Sequence, residues 1–127
     1  MYTVLLVDDE QCILDLCTGV LARTGRLHIL QASSGREAID TASKYDGTIE
    51  LLLSDIMMPG GILGIELAEC LAVSRPEIKV LLMSGSSPRS IVMKPGWHFL
   101  AKPFRPSDLL AQVQAILPAG SAVDVAS

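Results

Sequence analysis

Short apolar runs alternate with amphipathic stretches along the chain. Thr3-Val4-Leu5-Leu6-Val7 is continuous rather than alternating, which predicts a strand buried on both faces. Residues 11–24 then place Ile13, Leu16, Cys17, Val20 and Leu21 on one helical stripe, and Gly25 stops that helix. Leu27-His28-Ile29-Leu30-Gln31 predicts a second strand. Ser34-Gly35-Arg36-Glu37 has the form of a capping box, with the Ser34 hydroxyl accepting from the Glu37 amide and the Glu37 carboxylate from the Ser34 amide. It opens a helix to about Tyr45, with Ala38, Ile39 and Ala42 facing in and Asp46-Gly47 ending it. The third strand is read from Leu51 to Ser54, and a Pro59-Gly60-Gly61 loop follows. Ile65, Leu67, Ala68, Leu71 and Ala72 mark a helix from about Leu63 to Ser74. Ile78 to Met83 predicts the fourth strand and Trp97 to Leu100 a short fifth. Between them, Pro88 and Pro95 leave room for little more than two helical turns. Pro106-Ser107-Asp108 starts a last helix to about Leu117, and Pro118 blocks its continuation.

The alternation predicts the α/β class. The expected architecture is one doubly wound five-stranded parallel sheet, strand order 2-1-3-4-5, with helices on both faces and a short helix between the fourth and fifth strands. One domain spans 1–118, and the small, aperiodic residues 119–127 read as a flexible tail.

Composition narrows the function classes. Of the 127 residues, 50% are hydrophobic, enough for a core that needs no disulfide or structural metal. A net charge of -4 with no basic stretch argues against a nucleic-acid surface. Cys12, Cys17 and Cys70 make an odd set with no C-x-x-C, read as reduced thiols on buried helix faces. No apolar run approaches the roughly 20 residues of a membrane span, and Val4 to Val7 is too short for a signal peptide. The expected location is the cytoplasm, without a membrane partner.

The polar residues sharpen this. Asp8 and Asp9 follow the first strand, Asp55 the third, Ser84 the fourth and Lys102 the fifth. In open parallel sheets ligands bind beyond the carboxyl ends of the strands, so these groups should converge at one edge. Three carboxylates packed together repel by a few kcal/mol per close pair at an effective dielectric of about 20. One lysine does not balance them, whereas a divalent cation would. Oxygen ligands suit Mg²⁺, and the set holds no His or Cys to favour zinc. A lysine ammonium and a serine hydroxyl suit phosphate oxygens. One carboxylate can act as a nucleophile toward phosphorus, and Asp55, on the central strand, is the best placed.

At these residues the chain resembles the receiver domain of two-component response regulators. The resemblance rests on Val4-Leu5-Leu6-Val7-Asp8-Asp9-Glu10, on Asp55-Ile56-Met57-Met58-Pro59 with Gly64-Ile65-Glu66-Leu67, on Leu82-Met83-Ser84-Gly85, and on Phe99-Leu100-Ala101-Lys102-Pro103-Phe104. It covers about residues 2–117. It implies that Asp55 accepts a phosphoryl group from a sensor histidine kinase or phosphotransfer protein. It implies that Asp9, Asp55 and the Met57 carbonyl bind Mg²⁺ directly, and Asp8 through water. Lys102 would pair with phosphoryl oxygens, Ser84 would bond one of them and pull its loop inward, and the rotamer of Phe99 would follow. The Lys102-Pro103 peptide is usually cis in this family.

Three features depart from the family pattern. Gly60-Gly61 follows Pro59 and Gly64 falls one residue late, as in receivers of hybrid sensor kinases. The stretch from Ser84 to Lys102 is short, which puts family-type dimerisation in doubt. Phe99 has no hydroxyl to offer a partner. Trp97, near Phe99, is read as packing, and His28 and His98, on strands, are not read as ligands.

The expected function is a phosphoacceptor receiver that turns over no separate substrate and signals to an output protein by a conformational switch. The alternative is a receiver segment cut from a hybrid sensor kinase or a larger regulator. An aspartate-nucleophile phosphatase of the haloacid-dehalogenase type would need a D-x-D, whereas Met57 stands two places after Asp55. A docking module without phosphorylation would usually lack an acid or the lysine, and the chain keeps them all.

Overall fold

The computed structural model describes residues 2–58, 63–85 and 96–117. Five strands, β1 (Tyr2–Val7), β2 (Leu27–Ala32), β3 (Leu51–Asp55), β4 (Lys79–Ser84) and β5 (Trp97–Ala101), form one sheet in the order β2-β1-β3-β4-β5. Every neighbouring pair is parallel. The described helices are α1 (Gln11–Ala22), α2 (Gly35–Lys44), α3 (Gly64–Ser74) and α4 (Pro106–Ile116). The expected short helix between β4 and β5 and the expected tail at 119–127 lie outside the described residues.

The central strands are continuous apolar runs because both of their faces are covered. Val4, Leu6, Leu51, Leu53, Leu81 and Met83 point to the side of α1 and α4, where Leu14, Cys17, Leu21, Leu109 and Val113 meet them. The alternate residues Leu5, Val7, Leu52, Val80 and Leu82 point to α2 and α3, against Ala38, Ala42, Leu67 and Leu71. This alternation is the period of two expected of strands, with helices filling each side.

Several local readings need correction. The buried stripe of α1 is Leu14, Cys17, Val20 and Leu21, while Leu16 is 40% exposed. Apolar residues occupy so much of the circumference of α1 that their spacing alone did not choose the phase. Of the cysteines only Cys17 is buried; Cys12 and Cys70 lie on the outer faces of α1 and α3. The Ser34 hydroxyl does accept from the Glu37 amide, at 3.1 Å. The Glu37 carboxylate, however, reaches one residue further back, accepting from the Ser33 amide and from the Ser33 hydroxyl at 2.8 Å. Gly25 has φ of 69°, the left-handed conformation that ends the helix cleanly.

Elsewhere the capping chemistry is ordinary. The Asp108 carboxylate accepts from the Arg105 amide at 3.0 Å, with Pro106 opening α4. Arg75, beyond the end of α3, closes the end of α2 from across the domain. Its guanidinium donates to the carbonyls of Ala42, Tyr45 and Gly47, each at 2.9 Å. It thereby joins α3 to α2 on one face of the sheet.

Candidate functional site

The strands run parallel, so their carboxyl ends share one edge, and that edge carries the polar residues. Asp55 and Ser84 are the last residues of β3 and β4, one position earlier than a loop placement would have them. Asp8 and Asp9 follow β1 directly, and Lys102 follows β5. The register sets Asp55 beside Met83 and Ser84 beside Ala101.

Asp8 is fully buried and its two oxygens have different partners. Oδ1 accepts from the Glu10 amide at 2.9 Å, and Oδ2 accepts from the Lys102 ammonium at 3.0 Å. Glu10 occupies the N-cap position of α1 without a side-chain hydrogen bond to the helix. Lys102 also lies 3.5 Å from Asp55 Oδ2, so one ammonium bridges two carboxylates. Its backbone is tied to the neighbouring strand, with the Lys102 amide donating to the Ser84 carbonyl at 2.9 Å. The Lys102-Pro103 peptide is cis.

Electrostatics follow from this geometry. Burial pushes the Asp55 carboxyl above its ordinary value; the Lys102 charge opposes this and the Asp8 charge adds to it. The Met57 backbone amide, acting on the carboxylate, also opposes the rise. For Lys102, burial acts to lower the ammonium's value, but its bond to Asp8 and the charges of Asp55 and Asp8 outweigh that, and the net shift is upward. Behind the site, burial pushes the Cys17 thiol up to about 11, with the Asp8 charge adding to it, so this cysteine stays protonated.

Oxygens of Asp8, Asp9 and Asp55 all lie within 4.8 Å of one another, with Asp9 exposed and the other two buried. A cation at their centre can be held by all three while remaining open to solvent on the Asp9 side. The all-oxygen donor set fits a hard divalent cation. Ser84 is 2% exposed at the end of β4. Phe99 is half-buried and packs on the α2/α3 side of the sheet, beside Leu82 in register. Trp97 opens β5, at the opposite end of that strand from Lys102.

The structure adds contacts that the motif alone does not give. The segment after Asp55 alternates, with Ile56 and Met58 buried and the Met57 side chain 61% exposed. The Ser54 hydroxyl donates to the Asp55 carbonyl at 2.9 Å, fixing the main chain that carries the carboxylate. Gly64, known from sequence only as a motif residue, stands against that same carbonyl. The absence of a side chain at 64 was the only signal for this contact.

The family model for the response regulator receiver domain matches residues 4–114. The transcriptional regulatory protein YvrH of Bacillus subtilis is 31% identical over 120 residues, covering 91% of this chain and 48% of that protein. The sensor kinase CckA of Brucella abortus is 32% identical over 120 residues, covering 91% of this chain and 12% of that protein. The chain thus spans about half or less of the length of these relatives. Among solved structures, the response regulator TrrA of Thermotoga maritima, in complex with Mg²⁺ and BeF, is 29% identical with a TM-score of 0.77. That alignment covers 91% of this chain and 99% of TrrA. Sequence, strand order and the acidic edge of the sheet agree, and the chain belongs to the response regulator receiver domain family.

Proposed function

We propose that Asp55 is the phosphoacceptor of this receiver domain, taking its phosphoryl group from a phosphohistidine on a sensor histidine kinase or phosphotransfer protein. The observation that carries this reading is the single ammonium of Lys102 set between Asp8 and Asp55, with the Asp9 carboxylate completing an oxygen cluster within 4.8 Å. Such a site can gather anionic phosphoryl oxygens around one carboxylate nucleophile.

In the transfer, an Asp55 Oδ attacks phosphorus and the phosphorus–nitrogen bond to the donor imidazole breaks. The bonding electron pair stays on that nitrogen, and an acyl phosphate forms. Asp9, Asp55 and the Met57 carbonyl would hold Mg²⁺ directly, with Asp8 holding it through water. When bound, Mg²⁺ supplies charge neutralisation for the phosphoryl oxygens. Lys102 contributes its ammonium to the same oxygens, exchanging part of its bond to Asp8 for one to the phosphoryl group. Ser84 donates its hydroxyl to another oxygen. The Lys102 amide bonds the Ser84 carbonyl, so movement of the β4 end is passed to β5, where Phe99 packs.

The chain catalyses its own phosphorylation and hydrolysis and turns over no separate substrate. Its output is a protein contact that differs between the two states, made in the cytoplasm, and it reads no nucleic acid itself. Residues 1–118 form the receiver unit. The site serves equally well in a receiver that is one segment of a hybrid sensor kinase or larger regulator, and relatives of both kinds match this chain. Borohydride trapping after treatment with a small-molecule phosphodonor tests the reading, because peptide mapping should find the reduced residue at Asp55 alone. Trapping at another carboxylate would refute it.

A further inference from the structure

We infer that Gly64 is a positioning residue for Asp55: the space left by its missing side chain sets where the acceptor carboxylate and the Met57 backbone stand. The inference deepens the proposed function and rests on Asp55 being a metal-binding phosphoacceptor.

The backbone of Asp55 and Ile56 is held from three directions. The Ser54 hydroxyl donates to the Asp55 carbonyl at 2.9 Å. The Ile56 amide donates to the Met83 carbonyl at 2.9 Å, and the Ile56 carbonyl accepts from the Gly64 amide at 2.8 Å. That last bond brings the first residue of α3 directly onto the end of β3. A Cβ at position 64 would collide with the Asp55 carbonyl oxygen and would lie 2.9 Å from Ile56 Cα and 3.0 Å from the Asp55 carbonyl carbon. All of these are backbone atoms, so no side-chain rotation relieves the overlap. Gly64 is not in the left-handed region, so the requirement is for space and not for conformation.

Something must therefore move if a side chain is added. Leu67, Ala68 and Leu71 seat α3 in the core at 0–2% exposure, so α3 cannot retreat without opening a cavity. The overlap falls on the backbone of Asp55 and Ile56, and it passes from there to Met57, whose side chain projects into solvent and does not anchor it in the core. Displacing that backbone moves the Met57 amide, which acts on the Asp55 carboxylate, together with the Met57 carbonyl. The carboxylate and the carbonyl are both proposed to face Mg²⁺, so one methyl group disturbs two ligands at once. By contrast, Gly19 and Gly85 have nothing within 4 Å of an added Cβ.

The test is Mg²⁺ titration calorimetry and thermal melting of four proteins: native, Gly64→Ala, Leu71→Ala, and Gly64→Ala combined with Gly19→Ala. Gly19 lies inside α1, away from the site, and alanine there favours the helix, which protects the fold of the double variant. Both Gly64→Ala proteins should bind Mg²⁺ about tenfold or more weakly, the effect expected when support of a metal ligand is lost. They should also be phosphorylated more slowly by a small-molecule donor at saturating Mg²⁺. Leu71→Ala should melt earlier yet keep native Mg²⁺ affinity, because a core defect does not move the ligands. Native affinity in the folded double variant would overturn the inference even if melting had shifted. Failure of the native protein to bind Mg²⁺ would overturn the metal-site reading and this inference with it.

Discussion

The ammonium of Lys102 donates to the fully buried carboxylate of Asp8 across 3.0 Å, although 94 residues separate them in sequence. The contact ties the end of β5 to the end of β1 across the intervening strands β3 and β4. It also makes Lys102 the counter-ion of a buried charge. Removing it by Lys102→Met should destabilise the metal-free protein by about 3 kcal/mol, the low end for breaking a buried pair, since Lys102 is partly exposed. Saturating Mg²⁺ should restore much of that loss by supplying another cation. Urea denaturation with and without Mg²⁺ measures both effects.

Asp55 should be a stability liability when no cation is bound. Burial raises its folded-state value above the unfolded one. The stability it contributes is therefore fully present below the unfolded value and lost as pH rises through the folded value. At neutral pH the ionised carboxylate is held at a cost, so Asp55→Asn should melt above the native protein in the presence of a chelator. The advantage should shrink on acidification and vanish by about pH 3, where both forms are uncharged at this position. An Asp55→Asn protein no more stable than native at pH 7 would contradict this.

Asp9 differs from its neighbour in burial and should differ in consequence. It is exposed, whereas Asp8 is buried and doubly bonded. Asp9→Asn should weaken Mg²⁺ binding at least about tenfold while leaving folding stability within about 0.5 kcal/mol. Asp8→Asn should affect both quantities, because it also takes the partner from Lys102. Calorimetric titration beside chemical denaturation separates the two.

Arg75 provides a control for fold without chemistry. Arg75→Ala leaves the carbonyls of Ala42, Tyr45 and Gly47 without its guanidinium and should cost about 2 kcal/mol. The phosphorylation rate of the folded variant should remain native, because Arg75 lies beyond the far end of α3, away from Asp55. A slowed rate would mean that the α2/α3 face is coupled to the site.

What was legible in the sequence follows from the kind of signal each residue leaves. Val4 to Val7 and Leu51 to Leu53 are buried on both faces, so their continuous runs identify strands, and the alternation of elements implies a parallel sheet covered by helices on both faces. Polar residues after those runs then marked the site, and Asp8, Asp9, Asp55 and Lys102 do converge. Phase within a helix was harder. Apolar residues nearly surround α1, so spacing placed Leu16 inside where the structure has Leu14. Residue type alone places Cys12 and Cys70 inside, yet both face outward. Backbone contacts left no trace in side-chain chemistry. The Met57 amide, the Ser54 hydroxyl on a main-chain oxygen and the Gly64 approach became visible only once β3, β4 and α3 were packed together.

The most direct test of the central claim is intact mass after incubation with acetyl phosphate or phosphoramidate and Mg²⁺. The native protein should gain the mass of one phosphoryl group, the gain should need Mg²⁺, and Asp55→Asn should abolish it. A native protein that stays folded, binds Mg²⁺ and gains no mass, or an Asp55→Asn protein that gains it as readily as native, would contradict the assignment of Asp55 as phosphoacceptor.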